Sequence, residues 1–137
     1  MIVAVDTNIL LRHIVGDDQI QSPKATALIG QAIKIIIPTT VFCDLVWVLM
    51  RSYRIPRKEI TTVISNLIQA DKVICEAAVI SAGLAYLRQG GDFSDGVLTQ
   101  QAIMLGAKTL ASFDHKSLQL LQQNYPLIIE GLNPIEE

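Results

Sequence analysis

The sequence has only two cysteines, Cys43 and Cys75, and neither stands in a CxxC or Cys/His spacing. That excludes a zinc ribbon, a CxxC redox motif and a disulfide framework, and both thiols are expected to be reduced and enclosed in the core of a cytoplasmic protein. An excess of positive charge is also lacking: 11 Lys and Arg stand against 13 Asp and Glu, a formal net charge of −2. A polybasic nucleic-acid binder is thereby excluded, and any contact with a polyanion must come from a local cluster of cations. Long uninterrupted apolar runs are missing too. Met1 to Val5 carries no basic flank and stops at Asp6, while the stretch from Ile33 to Met50 is broken by Lys34, Pro38 and Asp44. Neither a signal peptide nor a membrane span is expected. There are no internal repeats, low-complexity tracts or linkers. Neither His13 nor His115 stands in a context that would make a serine or cysteine triad.

What the sequence does have is apolar residues, half of its 137, with 18% charged. That suffices for one sizeable core, so a single domain over residues 1–137 is expected. Short β-branched runs alternate with helical patterns. Met1 to Val5 suits a strand buried on both faces, and Thr7 and Asn8 open a helix to about His13. Ser22 and Pro23 look like the N-cap and first position of a helix to about Ala32. Ile35 to Ile37 is a second strand, and Pro38 fits the first position of a helix to about Arg51 that is apolar on almost every side. Ile60, Val63, Ile64, Leu67 and Ile68 repeat with the period of an amphipathic helix. Lys72 to Cys75 reads as a strand, Val79 to Leu87 as a helix closed by Gly90 and Gly91, and Val97 to Leu105 as a helix closed by Gly106. Thr109 to Phe113, Ser117 to Gln122 and Leu127 to Ile129 continue as strand, helix and strand. The alternation predicts an α/β sandwich around a mainly parallel sheet.

In open parallel sheets ligands bind outside the carboxyl ends of the strands, so acids placed there are candidates for a site. Asp6 directly follows the first strand, and Asp114 follows the strand ending near Phe113. Each also suits a turn or N-cap. Asp92 and Asp95 stand three residues apart at a helix start, where they approximate a capping box. Asp44 is different: it is the only charged residue between Lys34 and Arg51, among Phe42, Leu45, Val46, Trp47, Val48 and Leu49. If buried there unpaired, it would cost several kcal/mol, so a partner such as Arg12 or Arg51, or a shared cation, is expected. Converging carboxylates repel and require a cation, and oxygen-only ligation points to Mg²⁺ or Mn²⁺.

Val5-Asp6-Thr7-Asn8, the acid in Phe42-Cys43-Asp44-Leu45-Val46-Trp47, Asp92-Phe93-Ser94-Asp95 and Ser112-Phe113-Asp114 occur in the order and spacing of the PIN domain. The chain resembles the VapC-type toxins of that family from Met1 to about Leu132. The resemblance implies a PIN-like, Rossmann-like α/β/α sandwich and an endoribonuclease that hydrolyses RNA phosphodiesters in-line with Mg²⁺ or Mn²⁺, without a covalent enzyme intermediate. By the same resemblance Asp6, Asp44, Asp95 and Asp114 are catalytic acids, with Asp6, Asp95 and Asp114 as metal ligands. Asp92 is an auxiliary acid, and Thr7, Asn8 and Ser112 support the acids through hydrogen bonds. The chain departs from the pattern at Asp44, where the family usually has Glu; the shorter side chain suits contact through a bridging water. The family also implies a homodimer and a small antitoxin protein that covers the acids, and the mean hydropathy of +0.40 agrees with partner-covered apolar surface.

Arg51, Arg54, Arg57 and Lys58 gather four cations around Tyr53, a combination that suits RNA backbone and a stacked base, or equally a solvated helix connection. Rival readings fit less well. An aspartate-nucleophile phosphatase needs a second Asp where Asn8 stands, and a phosphorylatable receiver domain needs paired acids that Ile2 to Val5 do not supply. An inert PIN-fold binding module, favoured by Asp44 in place of Glu, and an RNA-processing nuclease outside toxin–antitoxin systems remain as alternatives.

Overall fold

Ile2, Val3 and Ala4 form the strand β1 (Ile2–Ala4), which pairs in parallel with β2 (Lys34–Ile36); β2 in turn pairs in parallel with β3 (Val73–Ile74). The register sets Val3 against Ile35 and Ile36 against Ile74. These relations come from a computed structural model that describes residues 1–124 and 128–131. The chain divides into two compact units, Met1–Ile80 and Ser81–Glu137.

In the first unit the three-stranded sheet is accompanied by α1 (Thr7–Val15), α2 (Gln21–Gln31), α3 (Thr39–Arg51) and α4 (Arg57–Gln69). Parallel strands need crossovers, and the helices supply them. α1 packs on α2 and α3, and α3 packs on α4. Val5, Leu10, Ile35, Ile37, Phe42, Leu45, Leu49, Ile60 and Ile64 are buried and make the core. Full burial of one such side chain contributes about 1.5–3 kcal/mol. The amphipathic α4 turns Ile60 and Ile64 fully inward, and Thr61 joins them because its hydroxyl donates to the Arg57 carbonyl at 2.9 Å.

Two helix starts differ from the sequence expectation. Ser22 is not the cap of α2: it is buried within the helix, which begins at Gln21. Asp18 caps instead, its Oδ1 accepting from the backbone N–H groups of Ile20 at 2.9 Å and Gln21 at 2.7 Å. Those two donors hold its carboxyl below the ordinary 3.8, weakly opposed by burial and assisted by the charge of Arg12. Pro38 is the N-cap of α3 and not its first residue, which is Thr39.

The helix α5 (Ala77–Arg88) runs from the first unit into the second. There it is followed by α6 (Phe93–Met104), β4 (Thr109–Ser112), α7 (His115–Asn124) and β5 (Ile128–Gly131). β4 and β5 pair in parallel, Thr109 opposite Ile128, as the sequence alternation predicts. Leu127, expected to begin the last strand, lies outside the described residues. Gly90 and Gly106 adopt φ of 96° and 103°, the left-handed conformation that ends α5 and α6 without a Cβ penalty. Gly83 and Gly96 let these two helices meet: a Cβ on Gly83 would stand 2.8 Å from the Phe93 ring and from Val97. Cys43 and Cys75 form no disulfide, as expected, but both are half-buried and not enclosed in the core. Burial, then the neighbouring Glu76, raises the Cys75 thiol above its ordinary value. Among the described residues no helix is long and apolar enough to cross a membrane.

Candidate active site

In the second unit the start of α6 and the end of β4 bring three expected acids to one cleft of about 490 Å³. Asp92, Asp95 and Asp114 line it, together with Tyr86, Gly91 and Ser117. Asp92 is the N-cap of α6, its Oδ1 accepting from Ser94 N at 2.9 Å. Asp114 precedes α7 and accepts from Ser117 N through Oδ1 at 3.1 Å, while its own N–H donates to Ser112 Oγ at 3.0 Å. Asp95 spends its side chain on no backbone group. Its Oδ2 accepts from Ser117 Oγ at 2.9 Å. Burial is the main cause that raises the Asp95 carboxyl; the Ser117 hydroxyl opposes it, and the charges of Asp92 and Asp114 add to it. Burial above all raises the Tyr86 hydroxyl; its hydrogen bond with Ser117 opposes this, and the charges of Asp95, Asp114 and Asp92 add to it.

The first unit holds the other expected residues. Asp6 is exposed at the end of β1, and as N-cap of α1 its Oδ1 accepts from Ile9 N at 3.0 Å. Thr7, the first residue of α1, is half-buried. The Asn8 amide donates to Gln21 Oε1 at 3.4 Å, an oxygen that Arg12 Nε also reaches at 2.9 Å, so Asn8 supports the α1–α2 junction and not a carboxylate. His13 is a surface residue whose Nδ1 shares a hydrogen bond with Thr26 Oγ1 at 2.9 Å.

Asp44 overturns the expectation of a buried charge. It is exposed, and among the described residues its carboxylate makes no hydrogen bond or ion pair. Thr40, Asp44, Trp47 and Arg51 are all exposed at helical spacing, so α3 has a solvent stripe that its hydropathy conceals. Trp47, 59% exposed, is the reason: it counts as apolar in the sequence but faces out. Neither expected arginine pairs with Asp44; Arg12 instead reaches Asp17 at 3.3 Å. In the cationic segment Arg51, Arg54 and Lys58 are exposed and Arg57 is half-buried. Tyr53 is half-buried and its hydroxyl donates to Asp17 Oδ2 at 3.2 Å, which leaves it poorly presented for stacking.

A family profile described as the PIN domain matches residues 3–120. The chain belongs to the PIN-domain family. No curated protein matches it with significance. The PIN fold is a nuclease-type fold, and PIN domains generally hydrolyse nucleic acid with divalent metal ions. The α/β class and parallel strand pairing expected for a PIN fold are present.

The donor chemistry of the PIN cleft fits a hard cation. Its three carboxylates and the Ser117 hydroxyl are all oxygen donors, the ligand type of Mg²⁺ and Mn²⁺. Oδ2 of Asp92, Oδ1 of Asp95 and Oδ2 of Asp114 make no hydrogen bond to any described residue, so each acid keeps one oxygen for a ligand. In neither unit do three His, Cys, Asp or Glu side chains of the described residues lie close enough to enclose an ion as they stand. Ser117 and Tyr86 were not among the residues singled out in the sequence. The spacing Asp114-x-x-Ser117, a cap and its third helical residue, is the signal that would have found Ser117; nothing local marks Tyr86.

Proposed function

We propose that the chain is a Mg²⁺- or Mn²⁺-dependent endoribonuclease, and that it is the VapC-type toxin of a type II toxin–antitoxin pair in the cytoplasm. The observation that carries the nuclease reading is the cleft on which Asp92, Asp95 and Asp114 each present an uncommitted oxygen, in a chain of the PIN family. The toxin reading draws support from the order and spacing of the four acidic motifs.

By the family resemblance Asp6, Asp95 and Asp114 would hold the metal, and Asp44, with its shorter reach, would serve as a catalytic acid through water. Asp92 adds negative charge beside Asp95. A bound divalent ion supplies an activated water and offsets charge on the scissile phosphate. The helix N-termini at Asp6, Asp92 and Asp114 fix the carboxylates by backbone donors, which spares the chain rotamer entropy at the site. Arg51, Arg54, Arg57 and Lys58 hold RNA backbone. Exposed Trp47 and Leu105 support apolar surface covered by a second copy and by an antitoxin that places a basic side chain near the acids. The test is cleavage of single-stranded RNA with Mg²⁺ or Mn²⁺, abolished by EDTA. Undiminished cleavage in EDTA rejects the reading.

Exposed Asp44, in place of the family's Glu, favours as second reading an inert PIN module that binds RNA without cutting it. Metal-independent RNA binding without cleavage is its signature.

A further inference from the structure

Ser117 occupies the first turn of α7 and is engaged at three of its atoms. Its N–H donates to Asp114 Oδ1 at 3.1 Å, its Oγ donates to Asp95 Oδ2 at 2.9 Å, and its carbonyl accepts from the Tyr86 hydroxyl at 2.9 Å. Tyr86 Oη is also 3.2 Å from Ser117 Oγ. A carboxylate can only accept, so the Ser117 hydroxyl proton points to Asp95, and the single Tyr86 proton is shared between the Ser117 carbonyl and Ser117 Oγ, the carbonyl being nearer. Two acids, Asp95 on α6 and Asp114 just before α7, are thus tied to one residue, one through its side chain and one through its backbone.

Tyr86 is itself held in place. It is 1% exposed, and its ring lies over Gly91 so closely that a Cβ there would overlap the ring. Gly96 makes the matching room on α6, where a Cβ would come within 2.8 Å of Tyr86 Cβ. The chain of contacts therefore runs from the Gly91 turn through the Tyr86 ring to the Ser117 carbonyl, and from Ser117 to both carboxylates. The bond to Asp114 is the N-cap bond of any third helical residue, but a serine used only as a helix residue would need neither the Oγ link to Asp95 nor the Tyr86 contact.

We propose that Ser117 is a positioning residue for the nuclease site, one that fixes the free oxygens of Asp95 and Asp114 relative to each other, with Tyr86 as its anchor. This rests on the nuclease reading. Ser117→Ala keeps the backbone bond to Asp114 and the carbonyl that Tyr86 reaches, and removes the Oγ contacts to Asp95 and Tyr86. Loss of an outer hydrogen bond to a metal-binding carboxylate costs about 10–100-fold in metal affinity or activity.

The experiment measures Mn²⁺ affinity by titration calorimetry and cleavage of a mixed-sequence single-stranded RNA for the parent, Ser117→Ala, Ser117→Thr and Tyr86→Phe. The melting temperature of each metal-free protein is recorded alongside. Ser117→Ala should weaken Mn²⁺ binding and cleavage by about 10–100-fold with a melting temperature within a few degrees of the parent. Ser117→Thr, which keeps the hydroxyl, should return both to within a few-fold. Tyr86→Phe should move both in the same direction as Ser117→Ala, and by less, so that the proposal is still read if the alanine variant fails to fold. Parent-like Mn²⁺ binding and cleavage in Ser117→Ala, or a Ser117→Thr as deficient as alanine, overturns the positioning role alone. A parent that neither binds Mn²⁺ nor cleaves RNA overturns the nuclease reading and this inference with it.

Discussion

Asp92 and Asp95 stand one helical turn apart, joined by the Asp95 N–H donating to the Asp92 carbonyl at 3.1 Å, yet their carboxylates are spent in different ways. Asp92 caps its own helix, whereas Asp95 reaches across to Ser117 on α7. The capping-box reading thus holds for one acid of the pair only. Asp92→Ala should destabilise the fold by about 0.5–2 kcal/mol, the usual cost of an N-cap. Asp95→Asn removes a half-buried charge and should leave stability near the parent while abolishing cleavage. Urea denaturation and an RNA cleavage assay on both variants check this; equal stability losses would merge the two roles.

Asp18 sets a pH dependence. Its folded carboxyl lies below 3.8 because Gln21 and Ile20 donate to it, so the cap contributes stability above the unfolded value and loses it as pH falls through the folded one. Asp18→Asn should flatten that acid limb. Melting temperatures between about pH 6 and about pH 2.5 for parent and variant should converge at the acid end.

The parallel strands, the amphipathic α4 and the glycine stops after α5 and α6 were legible because each rests on local pattern: β-branched runs, a 3.6-residue period, a residue that tolerates positive φ. The acids at Asp6, Asp92, Asp95 and Asp114 were legible for the same reason, since strand ends and helix starts are read locally. What failed was inference from composition to exposure. Asp44 among apolar neighbours looked buried, but a helix has a face to spare, and Trp47 shares it with Asp44. Ser22 before Pro23 looked like a cap, but Asp18 offers a carboxylate that takes two N–H groups at once, the stronger acceptor. Tyr86 and Ser117 are 31 residues apart, and such contacts leave no trace in a window.

Gly91 is required by the Tyr86 ring. Gly91→Ala should overpack this contact and cost about 1–3 kcal/mol, as added volume in a close-packed site does. The paired change Gly91→Ala with Tyr86→Leu should recover part of the loss. Denaturation midpoints of the single and double variants measure the coupling, and additive losses would mean that the ring and the glycine do not constrain each other.

Metal binding should stabilise the protein. An ion that binds the folded acids and not the unfolded chain contributes about 2.7 kcal/mol at a hundredfold excess over its dissociation constant. Melting temperature should therefore rise with millimolar Mn²⁺ in the parent and stay flat in Asp95→Asn. A flat parent would leave Asp6, Asp92 and Asp114 as helix caps only.

Asp44 decides between the enzyme and the inert module. Its exposure removes the structural salt bridge as an explanation, because a solvated carboxylate needs no partner and its loss leaves no buried cation behind. Asp44→Asn should therefore change stability by no more than about 0.5 kcal/mol, as surface substitutions do. Any large change it causes in cleavage must then come from chemistry and not from unfolding. In an enzyme that uses Asp44 through a bridging water, Asp44→Asn lowers cleavage, and Asp44→Glu, which extends the carboxylate by one methylene at the same charge, retains or increases it. In an inert module the parent is silent and Asp44→Glu creates activity. Single-turnover RNA cleavage of the parent and both variants, with melting temperatures recorded in parallel, separates the two. Normal cleavage in Asp44→Asn would take Asp44 out of the site and leave Asp6, Asp95 and Asp114 as its acids.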